Sequence, residues 1–120
     1  MADKIIVIED NNFVRMQIVK FLNDEGYDCL EFSRADEALD KFDEDVRAAV
    51  VDVRMEPIDG FDFVAAIRAK EFETPVVLVT GDDNPDLLSK ANSLGIGAVL
   101  MKPVQKERLV KMVSRITQRG

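Results

Sequence analysis

Residues 5–10 read Ile-Ile-Val-Ile-Glu-Asp, a run of four β-branched apolar residues that stops at two carboxylates. Such an unbroken apolar run is typical of a strand buried on both faces of a parallel sheet. The core of a signal peptide does not run straight into acidic residues, and the longest apolar run of the chain, residues 63–67, is far short of the about 20 residues that cross a bilayer. The stretch therefore predicts a buried first strand with charged groups at its carboxyl end.

Similar runs return at residues 48–51, 76–79 and 98–101, and a more alternating run at 27–32 predicts a strand at the sheet edge. Apolar residues at helical spacing separate and follow these runs, over residues 12–25, 59–71 and 105–118 and in two helices that open at Ser33 and Asn84. Five strand–helix repeats favour an open parallel sheet with helices on both faces. No linker or repeat interrupts the chain, so we expect one α/β domain over residues 1–120.

Local signals predict how two of these helices begin and one ends. Ser33, followed three residues later by Asp36, resembles a capping box. Asn84 before Pro85 resembles an N-cap followed by proline at the first helical position, and Gly95 is placed to end that helix.

Spacing also predicts which side chains are buried. In the helix over residues 59–71, the pattern favours burial of Phe61, Val64, Ala65 and Ile67. Cys29 is interpreted as a small buried hydrophobe rather than a redox group. The core is also predicted to include four methionines: Met16, Met55, Met101 and Met112.

Composition excludes several functional classes. The 120 residues hold 16 Lys and Arg against 23 Asp and Glu, a net charge of −7, which disfavours nonspecific binding to nucleic acid or to an anionic membrane. The chain has no histidine, which excludes a Ser-His-Asp triad and any histidine-ligated metal site. A single cysteine excludes an internal disulfide and fits a reducing compartment, so we expect the cytoplasm.

Polar groups follow four of the predicted strands: Glu9 and Asp10 after the first, then Asp52, Thr80 and Lys102. Taken singly, a polar residue at a strand end is the usual exit to solvent. In a parallel sheet, however, ligands bind beyond the carboxyl ends of the strands, so these groups are expected to share one crevice. Three carboxylates in one crevice need a cation, and hard oxygen ligands without histidine or cysteine favour Mg²⁺.

The same groups suit phosphoryl transfer. A divalent ion, an ammonium and a hydroxyl can neutralise and orient the oxygens of a transferred phosphoryl group. A carboxylate can itself be the nucleophile and become an aspartyl phosphate.

The sequence resembles the receiver domain of bacterial two-component response regulators, from Lys4 to about Gln118. Each matching motif by itself is weak evidence, but the motifs together, in this order at these strand ends, are specific for the family. The pieces are Ile5-Ile6-Val7-Ile8-Glu9-Asp10, Val50-Val51-Asp52-Val53-Arg54-Met55, Asp59-Gly60, Val77-Leu78-Val79-Thr80-Gly81 and Lys102-Pro103. The resemblance implies a doubly wound, flavodoxin-like (βα)5 fold with a five-stranded parallel sheet in the order 2-1-3-4-5.

The resemblance also implies a metal site and a phosphoacceptor. Asp52 would be the phosphoacceptor and a ligand of Mg²⁺. Asp10 would bind the ion directly, Glu9 through water, and Arg54 through its backbone carbonyl. The chemistry would be confined to phosphorylation and dephosphorylation of the domain itself, so it would not act as an enzyme on other substrates.

The remaining pocket residues follow from the same resemblance. Thr80 would bind a phosphoryl oxygen, and the small Gly81 would keep the approach open. Lys102 would pair with the phosphoryl group, or with Asp52 before phosphorylation. The Lys102–Pro103 peptide bond is expected to be cis.

The implied partners are proteins. The phosphodonor would be a phosphohistidine on a histidine kinase or a histidine phosphotransfer protein, in agreement with the absence of histidine here. A downstream protein would bind the fourth helix, fifth strand and fifth helix. Because no output domain fits in 120 residues, the domain would act alone or belong to a longer protein; direct binding to nucleic acid or membrane is not expected.

Two departures from the family pattern matter. Receivers commonly carry an aromatic residue three positions before the lysine, where this chain has Val99, a residue with few rotamers. Arg54 and Asp82 stand two positions after Asp52 and Thr80, at the rim of the predicted site, where an ion pair between them would hinder attack by water. Two separately solvated charges are the alternative.

Two other functions remain open at this point. The domain could be an interaction module of the same fold that binds partners regardless of phosphate, which Val99 favours. It could also be a phosphatase of the haloacid-dehalogenase type, in which Asp10 would be the nucleophile. That family has a second acid two positions later, where this chain has Asn12.

Overall fold

A computed structural model describes residues 2–118, which form one parallel sheet of five strands flanked by five helices. The strands lie in the order β2-β1-β3-β4-β5, as the family resemblance implied. Along the chain the elements are β1 (Lys4–Ile8), α1 (Asn12–Asn23), β2 (Asp28–Phe32), α2 (Ala35–Lys41), β3 (Val46–Asp52), α3 (Gly60–Ala69), β4 (Val76–Thr80), α4 (Pro85–Ser93), β5 (Ala98–Met101) and α5 (Lys106–Thr117).

The register of the sheet brings the ends of the central strands to one edge. Ile8 at the end of β1 pairs with Val51, the residue before Asp52. In turn Asp52 pairs with Val79 of β4, and Thr80 pairs with Met101, the last residue of β5. Groups that follow β1, β3, β4 and β5 therefore emerge side by side.

The core has two layers because side chains of each strand alternate between the faces of the sheet. Ile6 and Ile8 of β1 join a cluster with residues of α2, α3 and α4. Ile5 and Val7 join a second cluster, on the opposite face, with residues of α1 and α5. Burial of β1 on both faces explains its unbroken apolar sequence.

The predicted capping box at Ser33 is wrong. Helix α2 begins at Ala35, its N-cap is Arg34, and no side chain caps its amino end. The Asp36 carboxylate instead accepts hydrogen bonds from the Arg34 guanidinium at 2.7 and 3.0 Å, so it is engaged by a stronger local donor. By contrast, Asn84 caps α4 as predicted: its side chain accepts from the backbone N–H of Asp86, and Pro85 opens the helix.

Two burial predictions need correction. In α3, Phe61, Val64 and Ile67 are buried as predicted, but Phe63 is buried as well and Ala65 is exposed. Phe63 faces inward because α2 also covers this helix, and the ring of Phe42 lies edge-on to it at 5.9 Å between centroids. Met16 and Met101 are 64% and 40% exposed rather than core residues. Within the described part of the chain no element packs over either side chain, whereas Met55 is buried as predicted.

Cys29 is half-buried in β2. Burial, together with the nearby Asp28 and Glu31 carboxylates, raises the pKa of its thiol to about 12. Within residues 2–118, none of the helices combines the length and the apolar character that a bilayer-crossing segment requires.

Candidate functional site

Three carboxylates meet at the carboxyl edge of the sheet. Oxygens of Glu9, Asp10 and Asp52 lie within 4.8 Å of one another. Glu9 and Asp52 are buried, and Asp10 is exposed at the mouth of the site. They converge because β1 and β3 are neighbours in register, so the residues after Ile8 stand beside the end of β3.

Lys102, the residue after β5, supplies the counter-charge. Its Nζ atom lies 3.0 Å from Glu9 Oε1 and 3.3 Å from Asp52 Oδ1. Burial alone would lower the pKa of this ammonium, but the Glu9 and Asp52 carboxylates raise it above its ordinary value. The Lys102–Pro103 peptide bond is cis, as is Glu56–Pro57. Lys102 thus joins two of the acids rather than Asp52 alone.

One oxygen of the Glu9 carboxylate accepts a hydrogen bond from the part of the chain that the structure describes, and the other does not. Its Oε2 atom accepts a hydrogen bond from the backbone N–H of Asn11 at 3.1 Å. Its Oε1 atom is buried and, despite the close Lys102 ammonium, has no partner in hydrogen-bonding geometry among the described residues. Partial burial and the neighbouring Glu9 carboxyl raise the pKa of Asp10, because an added negative charge is disfavoured there.

The donor set fits magnesium. Three carboxylates oppose one ammonium, so negative charge is in excess, and the groups present are hard oxygen ligands. The under-bonded Oε1 atom of Glu9 and the raised pKa of Asp10 both indicate that a cation would stabilise the cluster. Asp10 and Asp52 would hold the ion, with Glu9 behind them.

Thr80 and Gly81 stand on the neighbouring strand end. The hydroxyl oxygen of Thr80 accepts a hydrogen bond from the backbone N–H of Asp82 at 3.0 Å, which leaves its O–H free to donate. A Cβ atom built on Gly81 would meet no atom within 4 Å, so the space beside this residue is open.

These groups border one cleft of about 560 Å³. Its lining includes most of the residues that the sequence singled out and two more, Asn11 and Asp83. The lining residues are Asp10, Asn11, Asp52, Arg54, Thr80, Gly81, Asp82, Asp83 and Lys102. Glu9 lies buried behind this lining, and Val99 packs against the apolar cluster instead of bordering the cleft.

Arg54 and Asp82 form an ion pair across the rim. Arg54 Nη2 donates to Asp82 Oδ2 at 2.8 Å, which joins the loop after β3 to the loop after β4. The backbone N–H of Asn84 and the Arg54 guanidinium lower the pKa of Asp82. Of the two arrangements considered from sequence, paired or separately solvated charges, the structure has the pair.

The backbone of Asp52 is fixed by the start of α3. A Cβ on Gly60 would collide with the carbonyl oxygen of Asp52, and the Gly60 N–H donates to Val53 O at 2.9 Å. Asp59 and Asp62 form a reciprocal capping box just before this contact. Glycine is therefore required for the helix to approach the strand end this closely.

Arg15 and Asn11 belong to the site, although neither was singled out from sequence. Arg15 Nη1 donates to the backbone carbonyl of Glu9 at 2.9 Å, and the Asn11 side chain caps α1 by accepting from Val14 N–H at 3.0 Å. Asparagine ahead of an amphipathic helix is a signal that could have identified the cap. Nothing in the sequence pattern distinguishes Arg15 from an ordinary surface arginine.

Comparison with known proteins identifies a family whose pattern covers most of the chain. The family described as response regulator receiver domain matches residues 5–114. The sensory/regulatory protein RpfC of Xanthomonas campestris is 29% identical over 112 residues, which are 89% of this chain and 15% of RpfC. The transcriptional regulatory protein CssR of Bacillus subtilis is 23% identical over 118 residues, 98% of this chain and 52% of CssR.

Solved structures agree in fold. The chemotaxis protein CheY4 of Vibrio cholerae matches with a TM-score of 0.90 and 27% identity, over 97% of this chain and 99% of that chain. The chain thus spans nearly the whole of CheY4 but only about half, or less, of the two curated relatives.

Proposed function

Because the chain belongs to the response regulator receiver domain family of two-component signalling, we propose that it accepts a phosphoryl group on Asp52 with the help of Mg²⁺. One observation carries the proposal: Asp52 is buried between the Lys102 ammonium and the carboxylates of Glu9 and Asp10, at the base of an open cleft. A purely structural ion pair with Lys102 would need one carboxylate, whereas three are gathered here.

The proposed reaction is a displacement at phosphorus. A carboxylate oxygen of Asp52 attacks the phosphorus of a phosphohistidine in line with the P–N bond. The P–O bond forms, the P–N bond breaks, and the imidazole leaves with the electron pair of that bond and takes up a proton. Mg²⁺, when bound, would neutralise charge on the phosphoryl oxygens.

Three side chains would serve the phosphorylated state. Lys102 would exchange its contact with Asp52 for a phosphoryl oxygen, since its ammonium already lies 3.3 Å from the acceptor. The Thr80 hydroxyl would donate a hydrogen bond to another of these oxygens. The open space at Gly81 admits the group, and the Arg54–Asp82 pair at the rim would hinder hydrolysis by water.

The phosphodonor is proposed to be a histidine kinase or a histidine phosphotransfer protein, in the cytoplasm. A downstream protein is proposed to bind α4, β5 and α5, where Leu88 and Met101 expose 54% and 40% of their surface. Residues 1–120 would serve as the receiver, whether alone or within a longer protein.

The proposal is tested by measuring intact mass after incubation with acetyl phosphate or phosphoramidate, with and without Mg²⁺. We expect one phosphoryl adduct that depends on Mg²⁺ and is missing from Asp52→Asn. Asp40→Asn is the matched control, because that carboxylate is exposed on α2 and borders neither of the clefts at the acceptor edge of the sheet. No adduct from either small donor or from a phosphorylated histidine kinase, in a folded protein, would contradict the proposal.

A second function is favoured by Val99. It packs in the apolar cluster at the position where an aromatic switch residue is common, and a valine has little freedom to rotate. An interaction module that binds its partner regardless of phosphate would explain this residue. Equal partner affinity of wild type and Asp52→Asn, with and without phosphodonor, would favour the module.

A further inference from the structure

Arg15 connects three elements around the acidic cluster. Its guanidinium donates to the Glu9 carbonyl at 2.9 Å, to Asn12 Oδ1 at 2.7 Å and to Glu31 Oε1 at 3.2 Å. These acceptors lie just after β1, at the start of α1 and in β2. Only 15% of the Arg15 side chain is exposed, compared with 77% for Arg54 at the rim, so its geometry is fixed by packing.

The hydrogen bond from Arg15 to the Glu9 carbonyl acts on the peptide that positions Asp10. The Glu9 carbonyl belongs to the peptide that leads into Asp10, so its orientation sets the direction of the backbone at Asp10. Two further hydrogen bonds brace the same turn: Glu9 N–H donates to Phe32 O at 3.1 Å, and Asn11 N–H donates to Glu9 Oε2 at 3.1 Å. Arg15 supplies the side-chain donor of this set.

Asp10 depends on that bracing more than its neighbours do. Asp52 ends a central strand, and Glu9 is buried and contacts Lys102. Asp10 is exposed, lies beyond the end of β1, and has no ion pair within 4.0 Å among the described residues. The backbone of the turn is therefore the main restraint on where its carboxylate stands.

From this geometry we propose that Arg15 is a positioning residue, which clamps the Glu9 carbonyl and so holds the Asp10 carboxylate in place to receive a divalent cation. The inference rests on the proposed function, because it assigns Arg15 a role toward the ion of that same site. Loss of the clamp weakens cation binding without removing a ligand. Outer residues that orient metal ligands commonly contribute about 10- to 100-fold in affinity.

The experiment is a titration of the unphosphorylated protein with Mg²⁺ alone. Binding is monitored through the chemical shifts of the backbone amides. Arg15→Met removes every donor and keeps an unbranched stem, and we expect its dissociation constant for Mg²⁺ to rise about 10-fold or more. Glu31→Gln is the matched control, because it removes the charge that pairs with Arg15 but leaves the contact with Glu9. We expect this control to bind Mg²⁺ as the wild type does.

Phosphorylation provides a second measurement. At saturating Mg²⁺, Arg15→Met is expected to form the Asp52 adduct at nearly the wild-type rate, since all the ligands are retained. A rate that stays low at saturating Mg²⁺, in parallel with unchanged Mg²⁺ affinity, would contradict a positioning role. If thermal unfolding shows that Arg15→Met does not fold, Arg15→Lys replaces it, because one ammonium cannot reach three acceptors and weaker Mg²⁺ binding is still expected.

The outcomes separate this inference from the proposed function. If the wild type binds Mg²⁺ and Arg15→Met binds it with equal affinity, the inference about Arg15 is overturned but the proposed function is not. Equal weakening in Glu31→Gln would also overturn it, because the effect would then come from the contact with β2. Absence of Mg²⁺ binding to the wild type would overturn both.

Discussion

The β3–α3 and β4–α4 units, whose strands end at Asp52 and Thr80, have neighbouring strands in the sheet but differ in how their helices are anchored. Helix α3 buries Gly60 and four large side chains, and a capping box closes its first turn. Helix α4 covers the same face of the sheet, yet among its nine residues only Ala91 is buried. The helix beside the proposed acceptor is therefore tied to the core by several side chains, and the one beside Thr80 only by Ala91 and the half-buried Leu87.

This difference indicates where movement costs least. Displacing α3 would expose apolar surface and strain the contact between Gly60 and the Asp52 carbonyl. Displacing α4 would expose little, because few buried apolar groups hold it. An acceptor must keep its geometry, whereas an element that reports phosphorylation must shift between conformations of similar energy. The two units are suited to these opposite requirements.

The two helices should differ most in the stability lost when a large side chain is truncated to alanine. Phe63→Ala in α3 should lower the free energy of unfolding by about 3–5 kcal/mol, because the ring is fully buried against Phe42. Leu88→Ala in α4 should change it by less than about 0.5 kcal/mol, since this side chain is 54% exposed. Urea unfolding followed by circular dichroism measures both. Similar losses in the two variants would show that α4 is anchored as firmly as α3.

A glycine pair tests the contact between α3 and β3, the strand of the proposed acceptor. Gly60→Ala should lower the free energy of unfolding by about 1–3 kcal/mol, because its Cβ would collide with the Asp52 carbonyl oxygen. It should also slow phosphorylation by moving Asp52. Gly81→Ala is the control after β4, where a Cβ meets nothing within 4 Å, and its stability should be unchanged. If Gly60→Ala is as stable as the wild type, the close approach of α3 to the Asp52 carbonyl is refuted.

The two N-caps give a finer comparison. Asp59→Ala should destabilise the whole domain by about 1–2 kcal/mol, since a cap and its reciprocal bond are lost from a helix that unfolds with the core. Asn84→Ala removes a single cap from α4 and should mainly increase amide exchange within that helix. Hydrogen exchange resolved by residue distinguishes the two. Faster exchange throughout the domain in Asn84→Ala would argue against independent opening of α4.

The smallest effect concerns the ion pair that joins the two units. The pKa of Asp82 lies below its ordinary value of 3.8, so the stability it contributes is present above that pH and is lost as the pH falls through the lower value. Arg54→Ala should therefore leave the pH dependence of unfolding unchanged between about pH 5 and 8. The same variant should lose phosphate faster by hydrolysis. An unchanged phosphate lifetime would remove the shielding role.

The positions of the strand ends were predictable because buried parallel strands have a distinctive sequence and end abruptly in polar residues. This was enough to gather Glu9, Asp10, Asp52, Thr80 and Lys102, and the family resemblance supplied the strand order. Contacts made across elements were harder to foresee.

The missed features depend on neighbours distant in sequence. Phe63 is buried because α2 lies over α3, and Met16 is exposed because none of residues 2–118 covers its side of α1. Arg15 acquires its role only when the end of β1 and the middle of β2 lie beside α1. Ser33 is the local exception: α2 begins one residue later than predicted, with Arg34 at the N-cap, and the Arg34 side chain binds Asp36. Local periodicity carries none of this information.

The half-buried Cys29 makes the domain a reporter of its own opening. The thiolate is the nucleophile that attacks alkylating reagents, and because the pKa of Cys29 is raised to about 12, the folded domain holds very little thiolate near neutral pH. Since Cys29 is the single thiol of the chain, its labelling rate would follow transient exposure of the edge strand β2. That rate could be recorded before and after phosphorylation without adding any probe to the protein.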